Sequence, residues 1–238
     1  MLKHLIVGAS SAIAQAIITE LLKKGERVIA VSRSQIPDHL ASSTHLQWIQ
    51  SDYGTPDIQH VCQRLSHSIA ELNSLYICNG ILHTSDLQPE KQIKQLKAEN
   101  FHCVMHVNAV LPMLWLQSIT PYLSRQQNLK IVLFSARIGS IGDNQLGGWH
   151  TYRASKAALN MLAKNYAIEM NRSHKHVAIT LFHPGTTDSH LSKPFQKNVA
   201  ENKLFEPSFV AQQLLLILKK QPSKEIAYID WQGEPIPW

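Results

Sequence analysis

The chain has 238 residues, of which 44% are hydrophobic and 17% charged, a composition typical of a globular domain that excludes disorder and collagen-like repeats. Its three cysteines are odd in number and lack C-x-x-C spacing, which argues against a disulfide framework or a zinc site and for a reducing compartment. The net charge is +6, yet the lysines and arginines are scattered. We therefore expect an anionic small molecule, rather than nucleic acid, as the partner.

The apolar segments do not predict membrane insertion. The apolar run at the N-terminus is far too short for a signal-peptide core. The segment Leu214–Leu218 is flanked by glutamines and lysines and is too short to span a bilayer. These observations favour a cytoplasmic protein.

Strand-like apolar runs alternate with helical patterns along the chain, and no linker divides it. The predicted strands are His4–Val7, Arg27–Val31, Leu46–Gln50, Leu75–Cys78, Leu129–Phe134, Val177–Phe182 and Glu225–Asp230. The predicted helices are Ala12–Lys24, Ile58–Leu72, Asn100–Leu123, Tyr152–Met170 and Phe209–Lys219. Alternating strands and helices connect through right-handed crossovers into a parallel sheet that is covered on both faces. The sequence thus predicts a single doubly wound α/β domain, Rossmann-type, over residues 1–238.

The first strand-to-helix turn is a candidate phosphate-binding site. It reads Gly8-Ala9-Ser10-Ser11-Ala12-Ile13-Ala14, in which glycine permits a tight turn and the free N–H groups of the helix start can bind phosphate. The candidate residues are Gly8, Ser10, Ser11 and Ile13. Ala12 and Ala14 stand where the dinucleotide fingerprint has glycines, so the motif alone is equally compatible with a plain strand-turn-helix.

Arg33 follows the second predicted strand. A site that prefers NAD needs an acidic residue near this point to bind the ribose 2′-hydroxyl, whereas arginine suits a 2′-phosphate. The alternative is a solvated surface arginine. We expect NADP(H) to be preferred over NAD(H).

Tyr152 and Lys156 lie four residues apart in a helical pattern, so both side chains fall on one face of the helix. Tyrosine, with a pKa near 10, is a poor base at neutral pH, and a neighbouring ammonium lowers that pKa by stabilising the phenolate. A bare Y-x-x-x-K pair also occurs by chance on exposed helices.

The longer motif Tyr152-Arg153-Ala154-Ser155-Lys156-Ala157-Ala158-Leu159, with the glycine turn, resembles the short-chain dehydrogenase/reductase family over nearly the whole chain. The segment 135–152 and the ending Pro235-Ile236-Pro237-Trp238 resemble its carbonyl-reductase-like branch, which includes bacterial C-factor signalling proteins. The resemblance implies hydride transfer between a nicotinamide cofactor and a carbonyl or alcohol substrate. Tyr152 would exchange a proton with the substrate oxygen, while Lys156 would lower the tyrosine pKa and bind the cofactor ribose.

The resemblance implies further roles at matching positions. Asn108 matches a helix asparagine that supports a proton relay through water to the lysine. Asp52 matches the acid that contacts the adenine amino group, and Ser189 matches a residue near the nicotinamide carboxamide. The remaining matching cofactor positions are Asn79, Gly80, Pro184, Gly185 and Thr187.

The catalytic serine departs from the family pattern. Many relatives have two serines after the fifth strand, the second of which acts on the substrate, and this chain has Ser135-Ala136. Counting back from Gly139 puts alanine at the catalytic position. Ser135 is our prediction for the residue that binds the carbonyl, and Ser140 is the alternative.

The sequence also leaves open an alternative to an active oxidoreductase. The missing glycines and the uncertain serine favour, as an alternative, a cofactor-binding signalling or regulatory protein with little turnover. His102 and His106 have metal-like spacing, but no acidic residue completes H-E-x-x-H, so no metal site is predicted.

By resemblance, the helical faces of Asn100–Leu123 and Tyr152–Met170 would associate into a homodimer or homotetramer.

Overall fold

Parallel strands form the central sheet of the computed structural model, which describes residues 1–220 and 226–238. The strands are β1 (Lys3–Val7), β2 (Arg27–Ser32), β3 (Leu46–Gln50), β4 (Ser74–Ile77), β5 (Leu129–Phe134), β6 (Val177–His183), β7 (Thr186–Thr187), β8 (Leu204–Phe205) and β9 (Ala227–Asp230). The main sheet has the order β3-β2-β1-β4-β5-β6-β9, and β7 pairs with β8 outside it. The strand order reverses between β1 and β4, and in such sheets ligands bind beyond the carboxyl ends of the strands at this point.

Helices cover both faces of the sheet. They are α1 (Ala12–Lys23), α2 (Thr55–Arg64), α3 (Ser66–Ile69), α4 (Ala98–Met105), α5 (Leu111–Ile119), α6 (His150–Ser173) and α7 (Pro207–Lys220). Successive residues of β1 alternate between two cores: Leu5 and Val7 pack with α2, α5 and α6, whereas Ile6 packs with α1 and α7. The two-sided burial that a parallel sheet requires confirms the doubly wound α/β prediction.

The predicted helix Asn100–Leu123 is interrupted in the structure. The chain leaves α4 at Met105, forms a π-helical turn over His106–Val110 and continues as α5 from Leu111. A π-turn changes the hydrogen-bond spacing and is frequent at functional sites. A pattern of apolar residues with helical spacing does not reveal such a turn, because the apolar face continues through it.

Two other predicted boundaries change. The helix predicted over Ile58–Leu72 consists of α2 and α3, with Leu65 between them at φ −93° and ψ 5°. The final strand begins at Ala227, and Glu225, where it was predicted to begin, lies outside the described residues.

The chain from Ala98 to Tyr122 is, within the described residues, the segment long and apolar enough to cross a membrane by composition. In its most apolar window, 44% of the residues are buried inside the fold. Trp115 and Ile119 are fully buried in the core beneath the sheet. The apolar residues of this segment therefore contribute to the core of the fold.

Candidate active site

The start of α6 carries the tyrosine and is fixed by a buried carboxylate. Glu90 accepts hydrogen bonds from the Thr151 backbone N–H, at 3.1 Å, and from the Thr151 hydroxyl. A carboxylate at a helix N-terminus is favoured by the helix dipole and satisfies a free N–H group. Sequence reasoning missed Glu90, because it lies 61 residues from Thr151 in the chain.

Tyr152 and Lys156 are buried on the same face of α6, as predicted from their spacing. The Lys156 Nζ donates a 2.7 Å hydrogen bond to the Phe134 carbonyl oxygen and lies 5.9 Å from the centroid of the Tyr152 ring. Burial lowers the pKa of Lys156 to about 8 because the apolar surroundings disfavour the ammonium.

The pKa of Tyr152 differs from the prediction. Burial raises the pKa of its phenol above the ordinary value, whereas we expected Lys156 to lower it. Within the described residues the Tyr152 hydroxyl has no hydrogen-bond partner, and the lysine ammonium is directed to the Phe134 carbonyl. The phenol is therefore protonated at neutral pH in this arrangement.

The residue that follows β5 and packs against Tyr152 is Ala136. The Ser135 hydroxyl donates a 2.6 Å hydrogen bond to Asn160 instead. The backbone at Ala136 is extended, and successive side chains of an extended chain point to opposite sides. The catalytic role predicted for Ser135 does not fit this geometry.

The alternative, Ser140, is also engaged elsewhere. It is buried, and its hydroxyl accepts a 3.1 Å hydrogen bond from the Asp143 backbone N–H. Neither serine hydroxyl is hydrogen-bonded to Tyr152 in the described part of the chain. Ala136 is thus the residue after β5 that packs with Tyr152, and both candidate serine hydroxyls are hydrogen-bonded to other groups.

Asn108 lies in the π-helical turn and connects two parts of the site. Its Oδ1 accepts a 2.7 Å bond from the Ile81 N–H, and its Nδ2 donates to the Ile81 carbonyl and the Ser155 hydroxyl, at 2.8 and 3.0 Å. A Cβ placed on Gly80 would lie 3.6 Å from both Asn108 Oδ1 and Lys156 Nζ. The loop after β4 and the helix of Tyr152 are thus held together through Asn108.

The glycine turn after β1 is tight and leads directly into α1. Gly8 has a φ of +78°, and a Cβ there would lie 3.0 Å from backbone atoms of Cys78 and Asn79, so a larger residue is excluded. Ser11 caps α1, and its Oγ accepts a 3.3 Å bond from the Ala14 N–H. The Ser10 side chain is exposed, and Ile13 packs partly against the core.

A buried polar atom lies beside this turn. The Oδ1 of Asn79 is buried and has no hydrogen-bond partner within the described residues. Such atoms are rare in folded proteins and require a partner. The free N–H groups of the turn and this oxygen are groups that a nucleotide cofactor can satisfy.

Arg33 stands on the wall of a cavity of about 400 Å³ at the ends of β2 and β3. The other lining residues are Gln50, Ser51, Asp52 and Asp57. The Asp52 Oδ1 accepts a 2.6 Å bond from the Gly54 N–H. Arg33 is exposed and has no ion-pair partner in residues 1–220 and 226–238.

The predicted positions after β6 form a tight turn. Gly185 has a φ of +71°, and a Cβ there would lie 2.6 Å from the Phe205 ring. The Thr187 hydroxyl donates to the Pro184 carbonyl at 3.4 Å, and the Ser189 hydroxyl donates to the Thr187 carbonyl at 3.2 Å. This turn lies at the same edge of the sheet as Tyr152 and the glycine turn.

Apolar side chains surround Tyr152. The buried members of the cluster are Leu82, Leu87, Val104 and Ala136. Trp149 and Phe195 pack against it, with the Trp149 ring 6.3 Å from the Tyr152 ring and 5.0 Å from the Phe195 ring. A protonated phenol in apolar, partly aromatic surroundings can donate its proton to an apolar substrate.

Comparisons with known proteins identify the family to which the chain belongs. A family model described as short chain dehydrogenase matches residues 3–200. A 1-hydroxy-2-glutathionyl-2-methyl-3-butene dehydrogenase from Rhodococcus sp. (strain AD45) is 27% identical over 80% of this chain and 80% of that protein. A benzil reductase ((S)-benzoin forming) from Bacillus cereus is 25% identical over 95% of this chain and 98% of that protein.

The fold is also found in solved structures. A short-chain dehydrogenase/reductase from Burkholderia multivorans with bound NADP superposes with a TM-score of 0.85 and 24% sequence identity, over 100% of this chain and 99% of that one. The chain belongs to the short-chain dehydrogenase/reductase family, whose members bind a nicotinamide cofactor.

Proposed function

We propose that this protein is an NADPH-dependent carbonyl reductase in which Tyr152 protonates the substrate oxygen. The observation that carries the proposal is the buried Tyr152 side chain, which lies on one face of α6 with Lys156 and whose hydroxyl has no hydrogen-bond partner in the described residues. A protonated phenol is a general acid, which is the role that reduction of a carbonyl requires. Burial holds the pKa of the Tyr152 phenol above its ordinary value, so the hydroxyl carries the proton that this role needs.

The residues around the glycine turn fit a nicotinamide cofactor. The Gly8 turn, with Ser10, Ser11 and the start of α1, would bind its phosphates, and the unpartnered Asn79 Oδ1 would accept a hydrogen bond from it. When bound, the cofactor supplies the hydride. Asp52, Gly80 and the turn from Pro184 to Ser189 are further proposed contacts.

Arg33 supports a preference for NADPH. Its guanidinium is exposed beside the cavity at the end of β2, where arginine suits a 2′-phosphate. The two carboxylates that share this cavity, Asp52 and Asp57, already accept hydrogen bonds, from the Gly54 N–H and from the Ser51 hydroxyl and Asp52 N–H respectively. The free arginine is thus the cavity group available to a phosphate.

Lys156 and Asn108 act on the tyrosine side of the site. With its pKa at about 8, Lys156 carries a positive charge at neutral pH and stabilises negative charge that develops on the Tyr152 oxygen. Asn108 links the Ile81 loop to Ser155 of α6, and by the family resemblance it would support a proton relay through water to Lys156.

The surroundings of Tyr152 favour a hydrophobic carbonyl substrate. Trp149 and Phe195 supply aromatic surface next to the phenol, and the Bacillus cereus relative is a benzil reductase. Aryl ketones and diketones are therefore the first substrates to test.

The test is a fluorescence titration with NADPH and NADH, followed by NADPH oxidation with a panel of aryl and alkyl ketones and aldehydes. We expect tighter binding of NADPH, loss of that preference in Arg33→Ala, and turnover of aryl carbonyls. A protein that binds neither cofactor would overturn the proposal.

A second candidate function is that of a cofactor-binding signalling protein of the C-factor type with little turnover. Ala136 favours it, because the substrate oxygen would have one hydroxyl donor, Tyr152, where a serine would provide another. This candidate is distinguished by cofactor binding without reduction of any carbonyl in the panel.

We further propose a cytoplasmic homodimer or homotetramer. Apolar side chains are exposed on the helices expected to associate: Val110, Met161, Leu162 and Ile168 are 43%, 62%, 38% and 47% exposed. Three free cysteines suit a reducing compartment. Light scattering on the purified protein gives the assembly size, and a monomer at micromolar concentration would contradict this proposal.

A further inference from the structure

Tyr53 adopts an unusual backbone conformation immediately beyond β3. Its φ is +68°, a left-handed value that is unfavourable for a bulky side chain and persists only where the surroundings hold the residue. Asp52 precedes it and Gly54 follows it, just before α2 begins. The conformation directs the Tyr53 side chain back beneath the glycine turn.

The Tyr53 hydroxyl joins two strand ends. It donates a 3.0 Å hydrogen bond to the Val31 carbonyl oxygen at the end of β2, and it accepts a 3.0 Å bond from the Gly8 N–H. The Val31 carbonyl also accepts bonds from the Gly8 and Ala9 N–H groups, at 3.0 and 3.1 Å. Burial raises the pKa of Tyr53 to about 12, so the hydroxyl remains a donor at all working pH values.

The Tyr53 ring contacts two further groups. On the core side it meets the buried Trp115 ring edge-to-face, with the centroids 5.7 Å apart. The Arg33 guanidinium carbon lies 5.8 Å from the Tyr53 ring centroid, within the range of a cation–π contact. One side chain therefore touches both the proposed phosphate-binding turn and the proposed 2′-phosphate ligand.

We infer that Tyr53 is a positioning residue that sets both parts of the cofactor site. Its hydroxyl fixes the Gly8 turn for the pyrophosphate, which NADPH and NADH share, and its ring orients Arg33 for the 2′-phosphate, which NADPH alone carries. This role rests on the proposed function. The Tyr53 hydroxyl would contribute to the affinity for both cofactors, and the Tyr53 ring would contribute to the preference for NADPH.

The different roles of the Tyr53 hydroxyl and ring predict different outcomes for two substitutions. Tyr53→Phe keeps the ring and removes the hydroxyl, so the Kd values of NADPH and NADH should rise together by about five-fold, as expected for one lost hydrogen bond, with their ratio unchanged. Tyr53→Leu removes the ring as well. We then expect the NADPH Kd to rise about two- to five-fold further than the NADH Kd, because the contact with Arg33 is lost.

Tyr166→Phe is the matched control. The Tyr166 hydroxyl is hydrogen-bonded to Thr120 at 2.8 Å, and burial likewise raises its pKa to about 12. The lost hydroxyl there should lower stability without changing either Kd.

The experiment is a parallel fluorescence titration of the purified wild-type protein and the three variants with NADPH and NADH, with urea unfolding as the check on folding. Wild-type binding of neither cofactor would overturn the proposed function and this inference with it. Wild-type binding of NADPH with unchanged Kd values in Tyr53→Phe would overturn the inference alone. Equal losses for both cofactors in Tyr53→Leu would overturn the role of the ring. If Tyr53→Leu fails to fold, Tyr53→Phe and its control still decide the role of the hydroxyl.

Discussion

The Asn108 side-chain amide donates a 3.0 Å hydrogen bond to the Ser155 hydroxyl, which joins the π-helical turn to α6 between Tyr152 and Lys156. The same amide is hydrogen-bonded to both backbone polar groups of Ile81. Asn108 is fully buried, so water cannot replace these bonds when the amide is removed.

Asn108→Ala should therefore destabilise the protein as well as the site. The Ile81 N–H and carbonyl would lose their side-chain partner, and we expect the free energy of unfolding to fall by about 3 kcal/mol, measured by urea denaturation. The exposed Asn128, just before β5, provides the control, since Asn128→Ala should change stability by less than about 0.5 kcal/mol. Equal stability of the two variants would contradict the structural role of the Asn108 hydrogen bonds.

The strands β1 to β6 were predictable from the sequence to within about one residue, because each is a short apolar run between polar turns. The two-residue strands β7 and β8 were not predicted, because they are too short to show a pattern. The Tyr152–Lys156 pair was predictable for a similar reason, since helical spacing alone places both on one face. The π-turn was not, because the apolar pattern continues through it. Which of Ser135 and Ala136 meets the tyrosine depends on the direction of an extended backbone, and the contacts of Glu90 and Tyr53 join residues far apart in the chain.

Lys156 should give the reaction an alkaline limit. Its pKa is about 8, so the ammonium is present below that pH and is lost above it. We expect kcat/KM for NADPH, which reports the free protein, to decline above about pH 8. The arginine of Lys156→Arg stays charged above pH 8. The kcat/KM of this variant, although lower than that of the wild type, should therefore not decline above that pH. A wild-type profile that is level to about pH 10 would rule out this role.

Ala136→Ser should increase turnover, because it adds a hydroxyl donor beside the Tyr152 phenol. One donor to a developing oxyanion contributes about 10²–10³ in kcat, and for a newly added group we expect about ten-fold or more in steady-state reduction of an aryl ketone. Ser135→Ala is the comparison, since its hydroxyl is bonded to Asn160 and its removal should mainly affect stability. The reverse pattern, with turnover abolished in Ser135→Ala and unchanged in Ala136→Ser, would restore the catalytic role to Ser135.

His183 should make the fold sensitive to acid. Burial, with a smaller effect from Arg137, lowers its pKa to about 4. As the pH falls below the ordinary histidine value near 6.5, the unfolded chain takes up a proton that the folded chain does not, so stability is lost between about pH 6.5 and 4, by up to about 3 kcal/mol. We expect His183→Gln to lose less stability than the wild type between pH 7 and pH 5 in urea unfolding. Parallel losses would show that His183 is not responsible.

The most direct test of the account is Tyr152→Phe, assayed for both cofactor binding and carbonyl reduction. The substitution removes the hydroxyl alone, and general acid catalysis is worth about 10²–10⁴ in rate. We expect NADPH-dependent reduction of an aryl ketone to fall by that factor, while the Kd of NADPH changes by less than about two-fold. The Kd should hold because the Tyr152 hydroxyl makes no hydrogen bond to the described residues, so its removal leaves the fold intact. Undiminished turnover in this variant would contradict the proposal that Tyr152 protonates the substrate.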